Sequence, residues 1–239
     1  MHVLLLGSAA GGGFPQWNCW CPCCRVARSD PSAARPRTQS SAAISVDGDR
    51  WFLLNASPDV REQLRWLRTE EPPSTVRHIP LEGVLVTDAE LDHTLGIVLL
   101  REARHLPVYA TLAVQSILDR DSRVLPMTRA FGEVPVTELP LNTPVHLCYR
   151  DGSASGLAVE AFPVPAGPLR FATREEEGHT VGFMLREEAS GLEHSPERAI
   201  VTRTGVIVGF DGLHLTLSRS VSEKEEHAPS RPASPAKRQ

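Results

Sequence analysis

Four side chains able to bind a metal stand within six residues, Asp88, Glu90, Asp92 and His93, in the run Thr87-Asp88-Ala89-Glu90-Leu91-Asp92-His93. Three carboxylates and an imidazole have hard-to-borderline donor character, which suits Fe(II), Mn(II) or Zn(II) better than a soft metal. The competing reading is a polar loop between a strand and a helix, with Asp92 or Thr94 capping the helix. A second cluster crowds Cys19, Cys21, Cys23 and Cys24 into Cys19-Trp20-Cys21-Pro22-Cys23-Cys24. Neighbours this close cannot all pair into unstrained disulfides. The C-x-C-x-x-C steps let Cys19, Cys21 and Cys24 converge on one tetrahedral Zn(II), with a fourth position left for a distant His or Cys. Cys23, lying between two of them, points elsewhere. Such a site staples an irregular loop rather than catalyses; buried or redox-active thiols are the alternative.

Positioning those groups is the work of the flanking elements. Residues 84–86 read as a short buried strand that opens into the acidic cluster, and residues 94–102 as a helix with Leu95, Val98 and Leu99 inward. Residues 3–6 read as a first buried strand, followed by Gly7-Ser8-Ala9-Ala10-Gly11-Gly12-Gly13. A glycine-rich turn there invites a dinucleotide reading, but Phe14-Pro15-Gln16-Trp17-Asn18 is a poor start for a phosphate-binding helix. The better reading is that the glycines let the backbone pass close to a ligand or another segment. Residues 42–46 and 51–54 flank Asp47-Gly48-Asp49-Arg50 as a hairpin. Ser57-Pro58-Asp59 resembles a capped helix start, with Val60, Leu64 and Leu67 inward. Asn55 and Asp59 are expected near the acidic cluster, with capping as their simpler role.

Further along, residues 107–110 read as a strand and Thr111 as the cap of the next helix. Strands are expected within 134–147 and 157–165, with a turn at Asp151-Gly152 and isolated His146 and Cys148 as core or surface residues. Residues 178–185 form a strand entered through Gly178-His179, making His179 a candidate to line the site. Residues 206–217 read as a closing hairpin over Asp211-Gly212, and residues 218–239 as a disordered tail. The strand–loop–helix rhythm indicates α/β architecture, with one domain over 1–217.

The composition is that of a soluble globular protein, 41% hydrophobic and 23% charged, and a net charge of -4 gives no reason to expect nucleic acid or an anionic membrane. No apolar run reaches spanning length and no basic segment precedes residues 3–6, so neither a membrane span nor a signal peptide is expected, and the expected location is cytoplasmic.

The run from Gly7 to Cys19, with Cys21 and Cys24, resembles the opening of the coenzyme PQQ synthesis protein B family. Arg37-Thr38-Gln39-Ser40-Ser41, Asn55-Ala56-Ser57-Pro58-Asp59, Thr87-Asp88 through Asp92-His93, and Gly178-His179 follow in that family's order. The resemblance implies a metallo-β-lactamase-like αββα sandwich, whose superfamily metal loop reads His-x-His-x-Asp-His. Asp88 and Glu90 stand at the two leading His positions, which fits an iron site better than a zinc hydroxide hydrolase. It further implies a role in making pyrroloquinoline quinone, by iron- and oxygen-dependent hydroxylation of the tyrosine ring of a Glu-Tyr precursor. Asp88, Asp92 and His93 would hold the metal, Glu90 would be a ligand or base, His179 a pocket residue, and Cys19, Cys21 and Cys24 the ligands of a structural zinc. Carriage of the quinone or its precursor towards the periplasm is the alternative. The family would carry a long block between Leu192 and Ser195, so this chain reads as shortened after about residue 185. An incomplete second half leaves room for a homodimer or for an inactive member.

Overall fold

The computed structural model describes residues 1–67, 78, 80–173 and 176–188, and the backbone of 213–216. β1 (His2–Gly7) lies between β2 (Ser41–Ser45) and β10 (Leu213–Thr216), antiparallel to both. β2 turns into β3 (Trp51–Leu54) as an antiparallel neighbour. The Asp47 carboxylate accepts the Asp49 and Arg50 amides in that turn, and Gly48 supplies a φ of 86°. Beyond β3 the sheet continues in parallel through β4 (Leu81–Leu85), β5 (Val108–Ala110) and β6 (Val136–Glu138). Its order is β10-β1-β2-β3-β4-β5-β6.

Parallel neighbours require crossovers, and helices supply them. α2 (Val60–Gln63) follows β3, and α3 (Leu91–Leu99) follows β4. After β5 come α4 (Leu112–Ser116), a π-helical turn (Ile117–Asp121) and α5 (Val124–Arg129). An earlier helix, α1 (Pro22–Ser29), belongs to the cysteine segment. The second sheet is an antiparallel set of β7 (Pro144–Cys148), β8 (Ala154–Pro163) and β9 (Val181–Glu187).

Period-two alternation along each strand divides the core in two. Leu4, Leu6, Ala43, Leu53, Val84 and Val86 meet Ile97, Val114, Leu118 and Leu125 of the helices. Their sequence alternates Val3, Ile44, Phe52 and Leu85 meet Leu147, Leu157, Val159 and Phe183 of the second sheet. Among the described residues a helical layer lies over two stacked sheets, three of the four layers of the αββα sandwich that the resemblance implies. Among the described residues no helix is long and apolar enough to cross a membrane.

At the start of β4 a buried carboxylate joins the sheets. Glu82 accepts Arg50 Nε at 3.2 Å, Arg50 Nη2 at 3.4 Å and the Arg150 amide at 2.7 Å. The Arg150 guanidinium lies 3.6 Å away. Arg50 also reaches Asp151 at 3.0 Å and lies 3.5 Å over the Tyr149 ring, so the β7–β8 turn is fastened to the first sheet.

Several expected boundaries shift. α3 starts at Leu91 rather than Thr94, so Asp92 and His93 sit in its first turn. Its buried positions are Thr94, Gly96 and Ile97, while Leu95, Val98 and Leu99 are half-buried. The cause is a backbone clamp: the Ala56 amide donates to the His93 carbonyl at 2.7 Å and the Gly96 amide to the Ala56 carbonyl at 2.9 Å. Neither Asp92 nor Thr94 caps the helix; Thr94 Oγ1 donates back to the Glu90 carbonyl. α2 starts at Val60, where Asp59 occupies the cap position without a side-chain bond to the helix, and Ser57 Oγ bonds Gln63 instead. Thr111 caps α4 as expected, accepting the Val114 amide. Residues 134–147 split between the two sheets around Asn142, whose φ is 55°. Residues 213–216 pair with β1, but the hairpin turn at 211–212, the shortening expected between 185 and 195 (beyond residue 188) and the tail at 218–239 lie outside the described residues.

Candidate metal centre

The acidic cluster begins where β4 ends. Asn55, buried and in the left-handed conformation at φ 60°, donates to Thr87 Oγ1 at 2.9 Å and accepts the Thr87 amide at 2.9 Å. Asn is among the residues that tolerate this backbone region best. Thr87 Oγ1 lies 3.0 Å from Asp88 Oδ2, and the Glu90 amide donates to Asp88 Oδ1 at 3.0 Å. Both Asp88 oxygens lie 2.8 Å from His93 Nδ1. Burial opposes the Asp88 charge, but the hydrogen bond and charge of His93 outweigh it and lower its pKa. Burial likewise opposes the imidazolium, and the Asp88 hydrogen bond with the Asp88, Asp92 and Glu90 charges raises the His93 pKa.

A carboxylate on Nδ1 makes that nitrogen the donor and turns Nε2 outward as the free ring nitrogen. Nε2 lies 4.0 Å from Asp92 Oδ2. An ion bonded at about 2.0–2.2 Å to both at a tetrahedral angle would need these donors to close to about 3.4 Å, a side-chain adjustment of about half an ångström. The glycine loop packs on the same carboxylate: a Cβ on Gly11 would come within 3.0 Å of Asp92 Oδ2. The glycines therefore serve close approach, as expected, and the segment approached is the acidic cluster. Gln39 holds this loop, accepting the Gly12 amide at 3.1 Å while its own amide groups donate to Asp59 Oδ2.

Asp88 is bonded to the His93 imidazole and Asp92 faces its other nitrogen, but the three expected ligands do not converge on a common point as the cysteines do. Glu90 faces the segment after β8, its Oε1 accepting the Arg170 amide at 3.2 Å. His179 approaches because the chain entering β9 lies beside the cluster: Thr180 bridges Asp88, and the Val181 amide donates to the Thr87 carbonyl at 2.9 Å. The His179 ring lines a cleft of about 240 Å³ with Ser116, Arg120, Asp121, Thr173 and Glu176. Its Nδ1 donates to the Glu176 carbonyl at 2.7 Å. His179 Nε2 and Thr180 Oγ1 are buried without a partner among the described residues.

The cysteines converge as their spacing predicts. One ligand atom from each of Cys19, Cys21 and Cys24 lies within 4.8 Å of the others, and among the described residues this is the group that could hold an ion by that measure. Cys21 is the cap position of α1 with Pro22 at its first turn, so the helix start aims the thiols together. Arg28 braces the loop through the Cys19 and Gln16 carbonyls. Hydrogen bonds from the Cys24 backbone and the Cys19 side chain lower the Cys21 pKa. The Gln16 backbone bond lowers that of Cys24, but burial and the two neighbouring sulfurs outweigh it and leave it raised. Cys23 is exposed and apart, Cys148 is exposed, and His146 pairs with Glu188 at 2.6 Å.

Thr87, Gln39 and Thr180 were not read as site residues, because each acts through contact with a segment distant in sequence. Gly11 and Asn55 carried local signals, a glycine run after a first strand and an Asn directly after a strand.

Residues 50–218 match the family described as Beta-lactamase superfamily domain. Coenzyme PQQ synthesis protein B of Methylobacterium radiotolerans is 41% identical over 221 residues, 89% of this chain and 71% of that protein. The protein of the same name from Gluconacetobacter diazotrophicus is 38% identical over 203 residues, covering 82% of this chain and 64% of its own. The crystal structure of Zn(2+)-bound PqqB from Methylobacterium extorquens superposes with a TM-score of 0.66 at 41% identity, over 78% of this chain and 62% of that one. This chain therefore spans about two thirds of the length of the relatives it matches. A diphosphatase of the PhnP family, 22% identical with a TM-score of 0.54, shares the fold. With its layers, its strand-end cluster and these likenesses together, the chain belongs to the coenzyme PQQ synthesis protein B family and has the metallo-β-lactamase fold.

Proposed function

We propose that the chain serves the biosynthesis of pyrroloquinoline quinone, oxidising the tyrosine ring of a peptide-derived Glu-Tyr precursor with a divalent metal at the Asp88–Asp92–His93 cluster. The observation that carries this reading is the carboxylate-braced imidazole of His93, its free nitrogen 4.0 Å from Asp92. Family membership supplies the pathway, and the solved relative described as Zn(2+)-bound supports a divalent metal in this fold. The Asp92 carboxylate and His93 imidazole form a hard-to-borderline donor pair that suits Fe(II) as well as Zn(II), and the proposed oxidation is what selects iron. Iron, when bound, would supply the oxygen-dependent hydroxylation chemistry that side chains lack. Asp92 and His93 would hold the ion, and Thr180, which bridges Asp88 through the backbone, brings a buried Oγ1 without a partner among the described residues. Glu90 takes the proton released by the ring, and its bond to the Arg170 amide keeps the covering segment in place. His179 is the pocket residue of this reading: its ring lines the cleft with Ser116, Arg120 and Asp121, and its Nε2 is buried without a partner among the described residues. A structural zinc at Cys19, Cys21 and Cys24 holds the first loop, from which Gly11 reaches Asp92.

The test is anaerobic loading with Fe(II), followed by metal analysis and mass spectrometry of a Glu-Tyr precursor after exposure to oxygen together with a two-electron reductant, which the insertion of one oxygen atom and the release of the other as water require. The expected result is iron that Asp92→Ala and His93→Ala each remove, and a product heavier by one oxygen atom. Iron content unchanged in both variants overturns the site; iron without product favours a carrier.

A further inference from the structure

We infer that Asp88 is a positioning residue that fixes the tautomer and direction of His93, and that the Asn55–Thr87 pair holds Asp88 in that role. The inference deepens the metal reading above and rests on it. Three features of the structure carry it.

The first is geometric. Asp88 places both oxygens at 2.8 Å from the same imidazole nitrogen, so a carboxylate that serves as an ion's donor is here turned upon a ligand's far side. Its remaining capacity is also taken, Oδ1 by the Glu90 amide and Oδ2 by Thr87 Oγ1. An anion accepting four such contacts in a nearly closed site, 9% exposed, has little left to give a cation. The second is continuity. Asn55 binds Thr87 through both atoms of its amide, and the Thr87 hydroxyl also approaches Asn55 Oδ1 at 3.1 Å. The path Asn55–Thr87–Asp88–His93 is therefore an unbroken series of polar contacts from the end of β3 to the first turn of α3. The third is the conformation at its origin: Asn55 takes a φ of 60°, which Asn tolerates better than most side chains, and its amide is spent on this path.

The consequence is chemical. A metal-binding imidazole is oriented and made more basic by a carboxylate on its other nitrogen, and loss of such a partner costs roughly 10- to 100-fold in affinity. Asp92, by contrast, has no such duty and faces Nε2. The two aspartates of the motif thus divide the work, Asp92 bonding the ion and Asp88 holding the histidine.

The experiment compares Asp88→Asn, Thr87→Val, Asn55→Ala and Asp92→Ala with the parent chain, with the thiolate site filled by one equivalent of zinc beforehand. Two readouts are taken. Histidine 15N chemical shifts, taken in the absence of a second metal and at a pH high enough that the ring is neutral, report which ring nitrogen of His93 carries the proton. Co(II) titration against a competing chelator then reports affinity at the second site. The expected result is that the parent shows Nδ1–H and that Asp88→Asn mixes the tautomers and weakens Co(II) about 10- to 100-fold while retaining its stoichiometry. Thr87→Val and Asn55→Ala should move both readouts the same way by smaller amounts, and Asp92→Ala should lose the ion with the tautomer intact. If Asp88→Asn loses the ion outright with the Nδ1–H signal unchanged, Asp88 is a ligand and the inference falls. If Thr87→Val and Asn55→Ala leave both readouts at parent values, the supporting path falls. Co(II) binding untouched by Asp92→Ala, with the tautomer still shifted by Asp88→Asn, overturns the metal reading and leaves the positioning role standing.

Discussion

β4 carries a buried carboxylate at each end, and the two are satisfied in opposite ways. Glu82, at the start, is closed: Arg50, the Arg150 amide and the Arg150 guanidinium surround it, and every partner is a permanent donor. Asp88, just past the end, is paired with an imidazole that has a second nitrogen facing outward. A guanidinium cannot shed its proton, so the first cluster has one state; a histidine can, so the second has several. The closed end joins two sheets, and the open end is where a ligand has something to bind.

The difference should show most when the carboxylates are removed. Glu82→Ala removes the acceptor shared by Arg50, the Arg150 amide and the Arg150 guanidinium and leaves Arg50 only its more exposed pair with Asp151, so a loss of about 3 kcal/mol in urea unfolding is expected. Asp88→Ala leaves an imidazole that can become neutral, so a loss of about 1–3 kcal/mol is expected in the same measurement. Equal losses would erase the distinction between the two ends.

Acidity sharpens the comparison next. Asp88 is lowered in the fold, so its contribution is present above its ordinary value of 3.8 and is lost as pH falls through the folded value. His93 is raised, so its contribution is present below its ordinary value of 6.5 and is lost as pH rises through the folded one. The pair therefore stabilises the metal-free chain most between those two ordinary values. Thermal midpoints at about pH 5 and about pH 9 should differ in the parent and converge in Asp88→Asn.

Smaller effects come last. Gly11→Ala presses a methyl on Asp92 Oδ2, turning that side chain off its rotamer at a cost of about 0.5–1.5 kcal/mol, read as weaker metal binding with little change in unfolding. Tyr149→Phe removes a hydroxyl whose longest contacts reach 3.4–3.5 Å while keeping the ring stacked on Phe52, and should change stability by no more than about 0.5 kcal/mol. The hydroxyl itself, with burial and Asp47 pushing its pKa up to about 12, stays protonated throughout such experiments.

The open end was far easier to read from sequence than the closed one. Short apolar runs announced β1, β2, β3 and β4, the Asp47-Gly48 turn announced the hairpin, and three cysteines at short spacing announced their own meeting. All of these are local patterns. Glu82 carried no such mark, because its partners arrive from residues 50 and 150 and only the stacking of two sheets joins them. The start of α3 was misplaced for a related reason: the periodicity of Leu95, Val98 and Leu99 was a fair helix signal, but the rotation of the helix is set by backbone bonds to Ala56. Acidic spacing named Asp88, Asp92 and His93 without revealing that one of them would be turned on another.

A Cβ at position 96 would fall 2.4 Å from the Ser57 carbonyl oxygen and 2.6 Å from that of Ala56. Main chain lies on main chain there, and the imidazole three residues earlier inherits its place from that crossing. The most chemically silent residue of the motif is thus the one that sets how deep the histidine sits, and no rearrangement of neighbouring side chains can restore that depth once a methyl intervenes.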